Sequence, residues 1–238
     1  MIRALLPLLL LSTAAYAEPV KLGHQVEPVG TTCMEDKIFA ATATANGRSA
    51  EQKKHVTKTI EVLATANGAV SKAKVTYTGY TGGDAVIAKT YVLAFDGGTL
   101  TIARADNKPV EATERALVEK DNQRFGKPDV FAEALVGIPF ERGKRTTVPS
   151  DKLAQWEDFP QPVKAALTLS DMRGADSVFK LELEAGTDAS GQKLAITGTA
   201  VVERTSGLVR SLDGGGTFIA KGATGTVHMT ASMSCKRP

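Results

Sequence analysis

Residues 225–235 read GTVHMTASMSC, and the alternation in this stretch decides the fold. Val227, Met229, Ala231, Met233 and Cys235 occupy every second position, with His228, Thr230, Ser232 and Ser234 between them. Successive side chains of a strand point to opposite faces, so a period of two buries one face and leaves the other in water, as in an antiparallel sheet. The same phasing places Ala73, Val75 and Tyr77 against Lys72, Lys74 and Thr76, and Phe179, Leu181 and Leu183 against Lys180, Glu182 and Glu184.

Turn signals divide the neighbouring sequence at short intervals. Asn46-Gly47 and Asn67-Gly68 suit the positive φ angles of tight hairpin turns. Gly82-Gly83-Asp84, Asp96-Gly97-Gly98, Gly174, Gly191, Gly207 and Gly222-Ala223-Thr224-Gly225 mark further turns. Asp213-Gly214-Gly215-Gly216 reads as a loose turn or bulge. Strands are predicted near 33–45, 51–66, 69–80, 85–95 and 99–105, and again near 162–172, 177–186, 192–205, 208–220 and 225–235. The middle is different. Residues 111–125 (EATERALVEKDNQRF) are dense in helix formers, 128–136 carry apolar residues at helical spacing, and Ser150 is placed to cap a short third helix running to Trp156. The expected fold is mainly β (α+β): a strongly curved antiparallel sheet of about ten strands with a central helical insert near 108–160, in a single domain spanning 18–238.

The chain begins with Arg3, an apolar run at 4–11 and an A-x-A ending at Ala15 and Ala17, the pattern of a cleaved signal peptide over 1–17. Eight apolar residues span only about 12 Å as a helix, against roughly 30 Å of bilayer hydrocarbon. No later stretch is long and apolar enough to span, so the mature chain is expected to be periplasmic or secreted, with no transmembrane segment. Without Arg3 there are 28 basic and 26 acidic residues, a balance that does not suggest nucleic acid as a partner. The local basic runs, Lys53, Lys54 and Lys58, and Arg142, Lys144 and Arg145, read as solvated surface.

An oxidising compartment favours a disulfide between Cys33 and Cys235. Cys33 opens the first predicted strand and Cys235 closes the last, so the bridge is expected to tie the two edges of the curved sheet together. Two cysteines without a neighbouring histidine do not make a zinc site, and neither a metal nor a cofactor is expected. His24, His55 and His228 are scattered and read as surface residues, and none stands in a catalytic motif. Residues 137–144 (GIPFERGK) have the wrong glycine spacing for a phosphate loop, and Arg145 stands where Ser or Thr would bind magnesium. No catalytic residue is assigned, and the reading leans away from an enzyme.

The aromatic residues are unevenly placed. Phe125, Phe131, Phe140, Trp156 and Phe159 all lie within the helical middle. They read either as core beneath the helices or as a lid over an apolar cavity, and they form the speculative ligand-binding set. The leading expectation is a non-enzymatic envelope protein that binds an apolar small molecule, a lipid or an envelope protein. The alternatives are an interaction module without a pocket, or a hydrolase whose site is assembled by the fold.

Two segments carry a resemblance. Ala200–Asp213 (AVVERTSGLVRSLD) resembles the strand, T-G-x-V, strand phrase of a group of uncharacterised exported bacterial proteins. Leu135–Pro149 (LVGIPFERGKRTTVP) is similar to their P-x-x-x-V-G-D-x-W segment, although Arg142-Gly143-Lys144-Arg145 lacks its Asp and Trp. The resemblance covers the C-terminal half and implies no activity. In architecture, strands with an inserted helical lid look like the half-barrels that carry lipoproteins or lipids across the periplasm, and a shared architecture does not fix a function.

Overall fold

The computed structural model describes residues 18–154, 159–220 and 222–238. The expected signal segment and Trp156 lie outside the described residues. The first meander comprises β1 (Thr32–Ala45), β2 (Arg48–Ala66), β3 (Ala69–Tyr80), β4 (Thr90–Asp96) and β5 (Thr99–Arg104). The second comprises β6 (Arg145–Thr147), β7 (Val163–Arg173), β8 (Asp176–Thr187), β9 (Gln192–Glu203), β10 (Val209–Ala220) and β11 (Ala223–Lys236). Between them lie α1 (Ala112–Asp121) and α2 (Val130–Leu135), and α3 (Ser150–Leu153) follows β6.

All of these strands belong to one open, curved antiparallel sheet in the order β5-β4-β3-β2-β1-β11-β10-β9-β8-β7-β6. The predicted alternation is present. Ala73, Val75 and Tyr77 are buried on β3, and Phe179, Leu181 and Leu183 on β8, while Lys72, Lys74, Lys180, Glu182 and Glu184 are exposed. Asn46 and Asn67 take positive φ, each followed by a glycine that does the same, so both Asn-Gly hairpins form as the dipeptides require.

The topology corrects the expected place of the disulfide. Cys33 and Cys235 are bonded and directly opposed in the ladder, with Cα atoms 4.0 Å apart, but β1 and β11 are neighbours at the centre of the sheet. Their pairing runs from Thr32↔Lys236 to Thr44↔Thr224. The edges are β5 and β6, because the helical segment, rather than the chain ends, interrupts the meander.

Three local expectations are also corrected. Asp213–Gly216 is neither turn nor bulge: it lies inside β10 and pairs in continuous register with both β9 and β11. A Cβ on Gly216 would run into the Ala195 carbonyl, one on Gly198 into that of Asp213 and one on Gly225 into that of Thr42. The glycines therefore permit the close backbone approach of a sharply bent sheet. The fourth strand starts at Thr90, because residues 84–86 form a single 3-10 turn that buries Val86. Ser150 is the first residue of α3 and does not cap it; Pro149 holds the cap position. Asp129 does cap α2, accepting from the amides of Phe131 (2.9 Å) and Ala132 (3.2 Å).

The inner face carries two cores. One gathers Val56, Val75, Tyr77, Tyr91 and Leu93 beneath Val118 of α1. The other gathers Leu167, Phe179, Leu181 and Val202 against Leu135, Phe140 and Leu153 of the insert, and against Leu22. The N-terminal segment is tied down across this second core by bridges from Val20 to Phe140 and from Leu22 to Val136.

Candidate functional site

The two covers do not meet over the middle of the sheet. On β11 the apolar phase is preserved, yet Met229, Ala231 and Met233 are only half-buried. The gap is a cleft of about 310 Å³, floored by Met229, Ala231 and Met233 together with Leu181, Leu183 and Ile196. Val130 and Phe131 of α2 and Phe159 form the insert side, with Leu212 alongside. That volume lies at the small end of pockets that enclose organic ligands, and the apolar lining is typical of them.

The five aromatic residues singled out in the sequence fall in different places. Phe131 and Phe159 line the cleft. Phe140 is fully buried in the second core, its ring centroid 4.9 Å from that of Phe179 in an edge-on contact. Phe125 packs against the first core. The sequence reading missed the floor residues Met229, Ala231 and Met233 as ligand-facing groups, because alternation marks a face without showing whether anything covers it.

A charged network bounds one side of the cleft. Glu35 and Lys37, both on the inner face of β1, line it. Behind them Lys58 is only 2 % exposed, a correction to its reading as solvated surface. Its Nζ donates to Asp121 Oδ2 (2.6 Å) and Asn122 Oδ1 (3.3 Å), and lies 3.4 Å from Glu35 Oε1. Tyr77 Oη donates to Asp121 at 3.1 Å and accepts from Asn122 Nδ2 at 2.8 Å. Burial pulls the Lys58 ammonium down, but the Glu35 and Asp121 carboxylates outweigh it and leave its pKa above the ordinary lysine value. Burial likewise pushes the Asp121 carboxyl up, and the Lys58 charge brings it below the usual range.

Farther along α1, Glu114 is buried against Lys89, Tyr91 Oη (3.2 Å) and Arg104 (3.5 Å). Glu114, Val118 and Asp121 share one helical face, so α1 docks on the sheet through two carboxylates flanking a valine. By contrast Arg142, Lys144 and Arg145 are solvent-exposed, as expected.

A third cluster fastens the chain ends. Arg237 donates to Glu27 (2.7 and 2.9 Å) and to both oxygens of Glu203, which also accepts from Ser206 and from Arg210 (2.7 Å). The hydrogen bonds from Arg237 are the main cause that holds the Glu203 carboxyl down at about 2, against burial. Glu203, Asp121 and Glu114 all have folded values below their unfolded ones. Their stabilisation is therefore present above the ordinary carboxylate range and is lost as pH falls through the folded values, about 2 in the case of Glu203. Lys58 behaves conversely: its contribution is present below about pH 10.5 and lost above. Urea unfolding midpoints should accordingly be level from pH 5 to 8 and fall steeply below pH 4. In Glu203→Gln the fall should be shallower; an unchanged slope would remove Glu203 from the account.

The histidines are not brought together. His55 Nε2 lies 2.9 Å from Asp36 Oδ1 and His228 Nε2 lies 3.1 Å from Asp213 Oδ1. Both pairs stand on the outer face, on opposite sides of β1. His24 departs from its reading as a surface residue, since both ring nitrogens are buried without a hydrogen-bond partner. Among the described residues no group of three or more His, Cys, Asp or Glu is arranged to hold a metal, and no helix is long and apolar enough to cross a membrane.

Fold and site together define an open antiparallel sheet, covered on one face by helices, with an apolar cleft between the covers. No protein-family model and no curated protein matches the chain. Among solved structures it is similar to a domain described as a putative outer membrane lipoprotein-sorting protein from Vibrio parahaemolyticus, at 9 % identity and a TM-score of 0.24, covering 88 % of this chain and 87 % of that one. It is also similar to Neisserial surface protein A, at 6 % identity and a TM-score of 0.19, covering 86 % and 97 %. Neither likeness reaches the level of a shared fold.

Proposed function

We propose that this chain is an exported, non-enzymatic envelope protein that holds an apolar ligand in the cleft between the centre of its sheet and its helical insert. The observation that carries this reading is the half-buried row Met229, Ala231 and Met233, which faces Phe131 and Phe159 across about 310 Å³. Apolar surface left uncovered inside a concave face gains stability from an apolar guest, at about 25 cal/mol per Å² removed from water. The N-terminal sequence and the Cys33–Cys235 disulfide support an oxidising compartment.

Organic extraction of the purified protein, followed by mass spectrometry, should release an amphiphile in near-stoichiometric amount. The neutral dye N-phenyl-1-naphthylamine should brighten on binding to the emptied protein. Ala231→Trp places an indole in the cleft without displacing core residues, and dye affinity should fall by at least tenfold while the melting temperature holds. An emptied wild-type protein that leaves the dye dark would overturn the proposal.

A further inference from the structure

The floor of the cleft runs from Met233 on β11 to Leu183 on β8, three strands away. The registers Val227↔Gly216, Gly216↔Ile196 and Ile196↔Leu183 set Leu183 level with Val227, six residues before Met233. The floor therefore crosses the sheet diagonally, about 20 Å along the strands and about 14 Å across them. Its flanks are filled: Phe179, Ala200 and Val202 are buried on one side and Val227 on the other. A volume of about 310 Å³ drawn out over that length makes a narrow trough rather than a round pocket. At its middle Gly214 pairs with Met229 and with Gly198, so two adjacent inward positions carry no side chain. The sheet is creased there: a Cβ on Gly198 would lie within 2.4 Å of the Asp213 carbonyl oxygen and 2.7 Å of Gly214 Cα. Met229 and Leu181 stand on either side of the crease, and its bottom is bare backbone. The polar end asks nothing of a ligand, since Glu35 is matched by Lys37 (2.9 Å) and Lys58 (3.4 Å).

Resting on the ligand-binding reading above, we infer that the trough selects its occupant by shape: one unbranched hydrocarbon chain, laid over Gly214 beneath Phe131 and Phe159. A straight chain follows the diagonal and sinks onto the glycine backbone, so most of its methylenes leave water. A ring of equal carbon number would bridge the crease and leave its far methylenes exposed. Gly214 is the residue that sets this preference, because any side chain there would fill the lowest point of the floor.

The test is displacement of N-phenyl-1-naphthylamine from the emptied protein by dodecanol and by cyclododecanol, which carry the same carbons as a chain and as a ring. Both are kept below their solubility limits. Dodecanol should half-displace the dye at a concentration roughly tenfold lower, since each methylene left in water forfeits about fourfold in affinity. Gly214→Ala places a methyl in the trough, 3.3 Å from the Thr197 carbonyl oxygen and 3.4 Å from Ile196 Cγ2, tight without a clash. It should weaken dodecanol at least fivefold and leave cyclododecanol unchanged. Gly215→Ala is as tight, 3.3 Å from His228 Cδ2, but lies on the outer face and should keep the wild-type preference. If Gly214→Ala misfolds, the wild-type comparison of chain with ring decides alone. Equal displacement by the two alcohols in the wild type overturns the shape assignment and leaves the apolar cleft standing. So does a folded Gly214→Ala that keeps the preference, or a Gly215→Ala that loses it. A dye that stays dark on the emptied wild-type protein overturns the ligand-binding reading itself.

Discussion

Replacing Cys33 and Cys235 together by serine should lower the free energy of unfolding by about 3–5 kcal/mol while leaving the folded spectrum unchanged. The two residues are 202 positions apart, and in the chain-entropy account a closed loop of that length restricts the unfolded state by about 5 kcal/mol. Little should change in the native state. The two cysteines sit opposite each other within a ladder that runs from Thr32 to Thr44, and that ladder fixes the register with or without the sulfur bond. The loss should thus appear as a lower urea midpoint with the same far-ultraviolet circular dichroism. A loss under 1 kcal/mol would show that the reduced, unfolded chain already keeps β1 against β11.

Lys58→Met should be comparably damaging, by about 3–5 kcal/mol, through a different mechanism. The methionine fills much of the space left by the lysine stem, so packing is largely conserved. What is lost is the cation between Asp121 and Glu35, whose side chains are 6 % and 4 % exposed. Two carboxylates left without it keep only the more exposed Lys37 (2.9 Å from Glu35) and Lys54 (3.6 Å from Asp121) as cationic partners, in a site that water hardly reaches. A double-mutant cycle separates this from simple loss of contacts. Adding Asp121→Asn to Lys58→Met should recover at least half of the loss, since groups in one network are strongly non-additive. If the two changes simply add, the ion pair is not what holds α1 to β2.

Much of the sheet was legible because alternation and turn chemistry agree with each other. Val75 and Tyr77, or Leu181 and Leu183, declare a buried face, and the Asn-Gly pairs declare where the chain reverses. The three-residue β6 escaped because Arg145–Thr147 is too short to show a period. The glycines of β10 were misread because the same residue serves a turn and a bent strand, and only the neighbouring carbonyls distinguish the two uses. Lys58 offered a signal that went unread. It lies in phase with Val56, Ile60 and Val62, so the lysine had to share their face. Its partner Asp121 could not be inferred in the same way, since the inward face of α1 sets a single apolar residue, Val118, between the carboxylates Glu114 and Asp121 and so does not read as a docking face.

The cleft was half visible. Phe131 and Phe159 were flagged by their clustering in the insert, whereas its floor depends on where two covers stop short of each other, a property of tertiary packing. That the order of strands places the ends of the chain at the middle was hidden for a related reason: sequence order names the first and last strands without saying which of them lies at a rim.

That arrangement has a consequence for how the molecule tolerates cutting. A protease nick between β5 and β6 would break the backbone at the point farthest from the sulfur bond, and each half would still carry one of the two cysteines. The fragments would remain covalently one particle until exposed to a reductant, so the helical cover could be clipped, and the cleft laid open, without releasing either half of the protein.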